Sequence, residues 1–412
     1  MNPRDNPAVG DAGQTAAVAA TGIPSDSRII VFGLDRWSDY LQTRQHVARG
    51  LAARGWPVAY TTGAHALWDR LGPNWHQSKW FSDTGEIDGV MLDHPARWLM
   101  QLPRLKRWDR FVRHRYIDNL FRRSDWNEAQ RRIAYMFHPN FAPYLDRMRN
   151  CLVVYHADDS FSKLPQAPAL LEAWERRVIE RADLIIATSP GVARRLPGNG
   201  SSRARVLQNG ADIEFFMRES AGPCPPDLAA IPSPRIGYCG TINPKVDLAL
   251  VAVLAICRPD WHWVFVGKQI QGAINGDSRS AAAKAVLDTR PNVHFLGSKP
   301  YAELPRYQAH MDVNTMCYRT DPGGWWEDVS PLKLYEYLAV GRPVISADLE
   351  VLHSLGDVLT IASNAPEWIA AIEKELAGAG TGSSASRRAA TNGHSWDDIV
   401  AQIETWILEY LR

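Results

Sequence analysis

The chain has 412 residues, 45% hydrophobic and 22% charged, with a formal net charge of +1. That length supports two globular domains, and the balanced charge excludes a molecule whose overall field gathers nucleic acid. The five cysteines (Cys151, Cys224, Cys239, Cys257 and Cys317) are odd in number and follow no metal-ligand spacing, which favours a reduced, cytoplasmic compartment.

Residues 1–26 are rich in Ala, Gly, Pro, Asp and Asn and lack periodicity. They are expected as a disordered lead without the basic segment and apolar core of a signal peptide. RIIVFGL (28–34) reads as a buried strand, RQHVARGLAARG as a helix and PVAYTT as a second strand. This is the opening of a Rossmann-like layer. CLVVYHADDS (151–160) is a strand ending in two acids, ADLIIATS (182–189) another strand, PGVARRL a helix, and ARVLQNGAD closes this half. The proline-heavy stretch 218–234 reads as a linker. RIGYCG, WHWVFVG, NVHFLG and MDVNTMCY then read as strands separated by helices, with APEWIAAIEKELA and SWDDIVAQIETWILEYLR as later helices. The expected fold class is α/β: two Rossmann-like domains, 27–217 and 235–392, facing across a cleft, with a C-terminal helix at 393–412 packing back on the first. The longest apolar run, 248–257, is too short to span a bilayer, so no integral membrane segment is expected.

In EDVSPLKLYEYLAVGRPVISA (327–347), Ser330 fits an N-cap, Pro331 the first helical position and Gly341 the end of the helix, with a buried strand at 343–346. Lys333 and Glu336 share one helix face, three residues apart. Two readings stand side by side. One is an exposed ion pair. The other is an anion site, in which the helix N-terminus and Lys333 attract phosphate while Glu336 accepts from sugar hydroxyls.

Residues 97–132 hold eleven Lys and Arg against four Asp and Glu, with aromatic and aliphatic residues interleaved. Such a basic amphipathic segment suits an anionic membrane surface or a solvated face. No nucleic-acid recognition motif accompanies the charge, so no nucleic acid is expected. The sixteen tryptophans include several beside charged residues, as suits interfaces and sugar-stacking surfaces as well as cores.

RIGYCGTINPKVDLALV, NVHFLGSKPYAELPRY and SPLKLYEYLAVGRPVIS together resemble the donor-binding half of GT-B glycosyltransferases. VVYHADDSFS, FHP (137–139), ATSPGVARRL and VLQNGAD resemble the acceptor half and hinge. The resemblance points to bacterial exopolysaccharide and teichuronic-acid-type transferases, including the xanthan glucuronosyltransferase, from about residue 28 to the end. It implies a nucleotide-sugar donor, a UDP-sugar, held by the second domain, and a lipid-linked or polysaccharide acceptor held by the first. It also implies a cytoplasmic enzyme peripheral to the inner membrane.

The E-x7-E pattern of glycosyltransferase family 4 has Glu336 at its second position but Asp328 at its first. Thr241 stands where that family has an arginine, and Lys245 is displaced from its lysine, which leaves Lys333 to meet the diphosphate. Gly240 and Thr241 form a glycine turn whose N–H groups approach phosphate. Ser330 belongs to the same donor-site block. Leu296 and Gly297 are expected to read the base through backbone groups, with Tyr318 nearby, and Lys268 to be a solvated loop residue. Asp159 matches the catalytic aspartate of the xanthan-type enzymes, implying a general base and inversion; if it is not the base, a retaining route in which the donor phosphate helps the attack stays open. Asp158 raises its pKa by repulsion or caps the next helix. Arg44 and His46 lie near the first strand's carboxyl end, where the acceptor would sit. No D-x-D pair is present, so neither metal nor cofactor is expected. Alternatives within the fold are a nucleotide-sugar epimerase and a non-catalytic nucleotide-sugar sensor or scaffold. No G-x-G-x-x-G turn follows the first strand of either half, which disfavours a dinucleotide oxidoreductase.

Overall fold

The computed structural model describes residues 24, 26–38, 41–71, 75–76, 78–102, 104–163 and 170–412. Apart from residues 24 and 26, the lead expected to be disordered lies outside these. The first sheet contains β1 (Ser27–Phe32), β2 (Val58–Thr61), β3 (Asp83–Ile87), β4 (Val90–His94), β5 (Arg131–Met136), β6 (Leu152–Ala157), β7 (Leu184–Ala187) and β8 (Ala204–Val206). Their order is β3-β4-β2-β1-β5-β6-β7-β8, parallel except for the β3–β4 hairpin. The second sheet contains β9 (Arg235–Cys239), β10 (His262–Val266), β11 (Val293–Phe295), β12 (Val313–Met316), β13 (Val344–Ser346) and β14 (Thr360–Ile361). It is wholly parallel, in the order β11-β10-β9-β12-β13-β14.

Central strands such as Ile29-Ile30-Val31-Phe32 and Trp263-Val264-Phe265-Val266 are buried on both faces, as helix-covered parallel sheets require. Chain order reverses between β1 and β5 in one sheet and between β9 and β12 in the other. Ligands of such sheets bind at the carboxyl ends beside that reversal.

The chain crosses between the sheets twice, side by side. Ala211 N–H donates to the His394 carbonyl at 3.0 Å, and Trp396 N–H to the Ala211 carbonyl at 3.2 Å. After the second crossing the helix Trp396–Leu411 lies on the first domain, where Glu404 accepts from Arg54 Nε and Trp56 Nε1, both at 2.7 Å. Within the proline-heavy stretch 218–234, Leu228 and Ile231 are buried in the core of the second domain.

Candidate functional site

The carboxyl ends of β1, β5 and β6 face those of β9, β10 and β12 across a cavity of about 640 Å³. On the side of the second domain, Gly240 ends β9 with φ +140°, and its N–H donates to the Val266 carbonyl at 2.8 Å. A Cβ at Gly240 would collide with the Lys333 ammonium, and one at Gly267 with the Gly240 carbonyl. Both turns are therefore bare backbone because the lysine and the neighbouring turn fill the space.

Lys333 opens the helix Lys333–Val340, which ends at Gly341 with φ +84°. Its Nζ is buried and, among the described residues, without a hydrogen-bond acceptor, 3.6 Å from the Tyr238 ring centroid and 5.5 Å from that of Tyr318. Burial, reinforced by repulsion from Lys245, pulls its pKa down to about 7. Lys245 Nζ lies 5.5 Å from the Tyr318 ring and 5.9 Å from that of Trp325. Burial lowers its pKa too, opposed by attraction to Asp159 on the other wall. Glu336 also lines the cavity. Burial pushes its carboxyl up to about 7, and Gln308 Nε2 donates to it at 3.5 Å. The exposed ion-pair reading of Lys333 and Glu336 fails, because both turn into this cavity.

On the side of the first domain, β6 ends in Asp158 and Asp159. Asp158 pairs with Arg44 at 3.1 Å, and its other oxygen is buried without a partner among the described residues. Burial raises its pKa to about 7 against the pull of Arg44. Asp159 Oδ1 accepts from Ser160 N–H at 2.8 Å, and burial raises its pKa to about 6. Desolvation is the largest cause for both acids; a smaller upward push comes from Asp159 on Asp158, and from Asp328, not Asp158, on Asp159. Arg44 also pairs with Asp35, at the end of β1.

His138, at the end of β5, lines the cavity although sequence reasoning gave it no role. Its Nδ1 accepts from Asn140 N–H at 3.1 Å, which leaves Nε2 as the protonated nitrogen of the neutral ring. Burial holds its pKa down at about 3.

Of the residues expected in the site, Arg44, Asp158, Asp159, Gly240, Thr241, Tyr318, Ser330, Lys333 and Glu336 line the cavity. Four expectations need correction. His46 is buried and stacks on Trp396, centroids 4.3 Å apart and planes 8° off parallel, so it packs the C-terminal helix and does not face an acceptor. Asp328 is turned away from the cavity. It pairs with Arg195 and accepts from Ser160 Oγ at 2.9 Å, while its backbone carbonyl accepts from Ser189 Oγ at 2.7 Å. Ser330 does not cap the helix, whose N-cap position is Leu332; the Ser330 carbonyl accepts from Asn209 Nδ2 at 3.0 Å. Beyond β11, Ser298 and Lys299 line the cavity in place of Leu296 and Gly297, whose backbones pair with Phe265 and Gly267. Lys268, read as a loop lysine, is exposed yet reaches the cavity rim.

Residues 233–377 match the family described as glycosyl transferases group 1. That match lies within the second domain, from β9 to the helix Ala365–Leu376. Over 183 residues the chain is 30% identical to TuaH of Bacillus subtilis (strain 168), a protein named for a teichuronic acid biosynthesis glycosyltransferase. That match covers 44% of each chain, so less than half the length of the curated relative is spanned. Among solved structures, sucrose-phosphate synthase of Thermosynechococcus elongatus superimposes with a TM-score of 0.70 at 15% identity, over 93% of this chain and 99% of the other. Anabaena HepE, in complex with UDP and glucose, gives 0.62 at 17% identity over the same shares. At these identities the likeness establishes the fold, two Rossmann-like domains in the GT-B arrangement. The segment matched by that family includes the wall with Gly240, Lys245, Lys333 and Glu336.

Proposed function

We propose that the protein moves a sugar from a nucleotide-sugar donor, a UDP-sugar, to a lipid-linked or polysaccharide acceptor in cell-surface glycan synthesis. It does so on the cytoplasmic face of the inner membrane, without a metal. The carrying observation is the Lys333 ammonium, buried in the cavity wall with no hydrogen-bond acceptor among the described residues. A buried cation in that position awaits an anion, and the diphosphate of a nucleotide sugar supplies one. Support also comes from the UDP in the HepE complex and from the name of the Bacillus subtilis relative.

In this reading Lys333, Lys245 and the N–H groups of the Gly240 turn hold the diphosphate, and Glu336 accepts from ribose hydroxyls. Asp159, with a pKa of about 6, is mostly ionised at neutral pH and serves as the base. The acceptor oxygen bonds to the anomeric carbon while the bond from that carbon to phosphate oxygen breaks. The acceptor proton passes to Asp159 and the electron pair leaves with UDP. Attack from the face opposite the leaving group inverts the anomeric centre. Asp158, paired with Arg44, holds that arginine beneath the acceptor.

The test is binding and hydrolysis of UDP-, GDP- and dTDP-sugars by wild type and Lys333→Ala. Binding of a UDP-sugar that weakens in the variant supports the reading. Failure of every nucleotide sugar to bind the wild type overturns it, and equal binding by the variant removes Lys333 from the donor site.

A further inference from the structure

Residues 67–111 concentrate the exposed apolar side chains of the molecule. Among the described residues, all five exposed Trp and Phe side chains fall there: Trp68 at 64%, Trp80 at 63%, Phe81 at 76%, Trp98 at 44% and Phe111 at 50%. Leu67 and Leu105 add to them.

These residues border a single stretch of chain, 97–102. Arg97 N–H donates to the Lys79 carbonyl at 3.0 Å, which sets Trp80 and Phe81 beside Trp98; Phe81 and Trp98 both line a notch of about 110 Å³. Leu67 N–H donates to the Gln101 carbonyl at 3.1 Å, which sets Trp68 alongside. Trp108 Nε1 donates to the Met100 carbonyl at 2.8 Å and its ring packs on Phe111 at 5.5 Å.

The charges around Leu105 are one-sided. Arg104, Lys106, Arg107 and Arg110 are exposed, whereas Asp109 is buried and accepts from Leu102 N–H at 2.5 Å. Of the other acids in the stretch, Asp69 accepts from Ala66 N–H, Asp83 pairs with Lys79 and His94, and Asp93 pairs with Arg123, while Glu86 and Asp88 are exposed on the β3–β4 hairpin. The helix Lys106–Arg123 turns its own apolar stripe (Val112, Tyr116, Ile117, Leu120 and Phe121) into the core, so it does not lie in a bilayer by that face, as an amphipathic reading of 97–132 suggests. What remains outside is a basic rim beside protruding aromatic rings.

Topology supplies the direction. The segments after β2 and β4 leave the carboxyl edge of the first sheet, the edge at which β6 delivers Asp158 and Asp159. We infer that the surface formed by Trp68, Trp80, Phe81, Trp98, Phe111 and the exposed basic residues Arg104, Lys106, Arg107 and Arg110 docks on an anionic lipid bilayer, the rings entering the interface and the basic side chains meeting headgroups. This rests on the reading above that the protein works at a membrane. An aromatic, basic surface is the chemistry that a negatively charged interface selects. A bilayer held there lies along the edge of the sheet that carries Asp159.

The test is sedimentation of the full chain with vesicles of phosphatidylcholine alone or with 30 mol% phosphatidylglycerol, at low and high salt. Three proteins are compared: wild type, Trp80→Ser/Phe81→Ser, and Arg104→Glu/Arg107→Glu. The wild type is expected to bind the anionic vesicles only. Each pair of substitutions is expected to weaken binding by about tenfold or more. Their circular dichroism and UDP-sugar affinity stay at the wild-type level, since none of these residues lines the cavity. If the wild type binds no vesicles, the membrane reading itself falls. If it binds and both variants bind equally well, the membrane reading stands and this surface is wrong. If the aromatic variant instead dissolves a concentration-dependent dimer with no vesicle binding lost, the surface contacts a second copy of the chain.

Discussion

Ser160 Oγ, one residue beyond Asp159, donates to the carboxylate of Asp328 at 2.9 Å across the cleft. The same carboxylate pairs with Arg195, while Glu327 pairs with Arg195 and with Lys163 at 3.4 Å. Gly191 makes this approach possible, because a Cβ there would run into the Asp328 carboxylate. The loop that carries Asp159 and the wall that carries Lys333 are therefore tied together through the short segment ahead of Lys333.

Asp328→Ala removes both side-chain contacts and leaves Arg195 without its buried partner. The Ser189 bond survives, since it goes to the backbone. A loss of about 1–3 kcal/mol is expected, less than for a fully buried pair because Arg195 is partly exposed. Thermal unfolding checks this. Small-angle scattering of the variant should show a larger radius of gyration that UDP-sugar restores; an unchanged radius would mean that the other contacts hold the domains alone.

If Lys333 holds the donor diphosphate as proposed, donor binding is sensitive to pH. Only its ammonium form attracts the diphosphate, and that form is lost as pH rises through about 7. Affinity for a UDP-sugar should weaken above pH 7, by up to tenfold per pH unit, and binding near pH 8 should take up a proton. Glu336, raised to about 7, gains its charge over the same range and opposes the trend. Calorimetry in two buffers of different ionisation enthalpy reads the proton uptake directly. In Lys333→Ala the uptake and the alkaline decline should both vanish.

Much of the architecture was readable from apolar runs: β1, β2, β6, β7 and most of the second sheet are unbroken stretches bounded by turns. β5 was not, although it pairs with β1 at the centre of the first sheet. It opens with Arg131 and Arg132, whose charges mask the short run behind them, and Arg131 is held by Asp26 at 3.0 Å. The β3–β4 hairpin did carry a signal, Asp88-Gly89 with both φ values positive, but its strand DTGEI is polar and half exposed. In the site, the glycine turn and the lysine–glutamate spacing were visible because both are local. Asp328 was misread because Ser160 lies 168 residues away in sequence. His46 was misread for the same reason, its partner Trp396 coming from the far end of the chain.

His46 offers a direct check on that correction. His46→Ala removes a stacked pair between the helix Thr43–Ala53 and the C-terminal helix, at a cost of about 1–2 kcal/mol. Unfolding should shift to lower temperature while the KM for acceptor stays unchanged. A raised acceptor KM in folded protein would return His46 to the acceptor site.

Asp159→Asn separates chemistry from stability. The amide keeps an oxygen for Ser160 N–H but takes no proton, so transfer should fall by a factor on the order of 100 to 10,000 while UDP-sugar affinity holds. Stability should move the other way. The folded-state pKa of Asp159 is raised from 3.8 to about 6, so protonation favours the fold. That contribution is complete below about pH 4 and lost as pH rises through about 6. At pH 7 the buried charge weighs against folding by roughly 1–3 kcal/mol, which the neutral amide removes. The variant should unfold at a higher temperature than wild type at pH 7, and the difference should close towards pH 4. A variant that is both inactive and less stable at pH 7 would show that Asp159 holds the loop and that the proton is taken elsewhere.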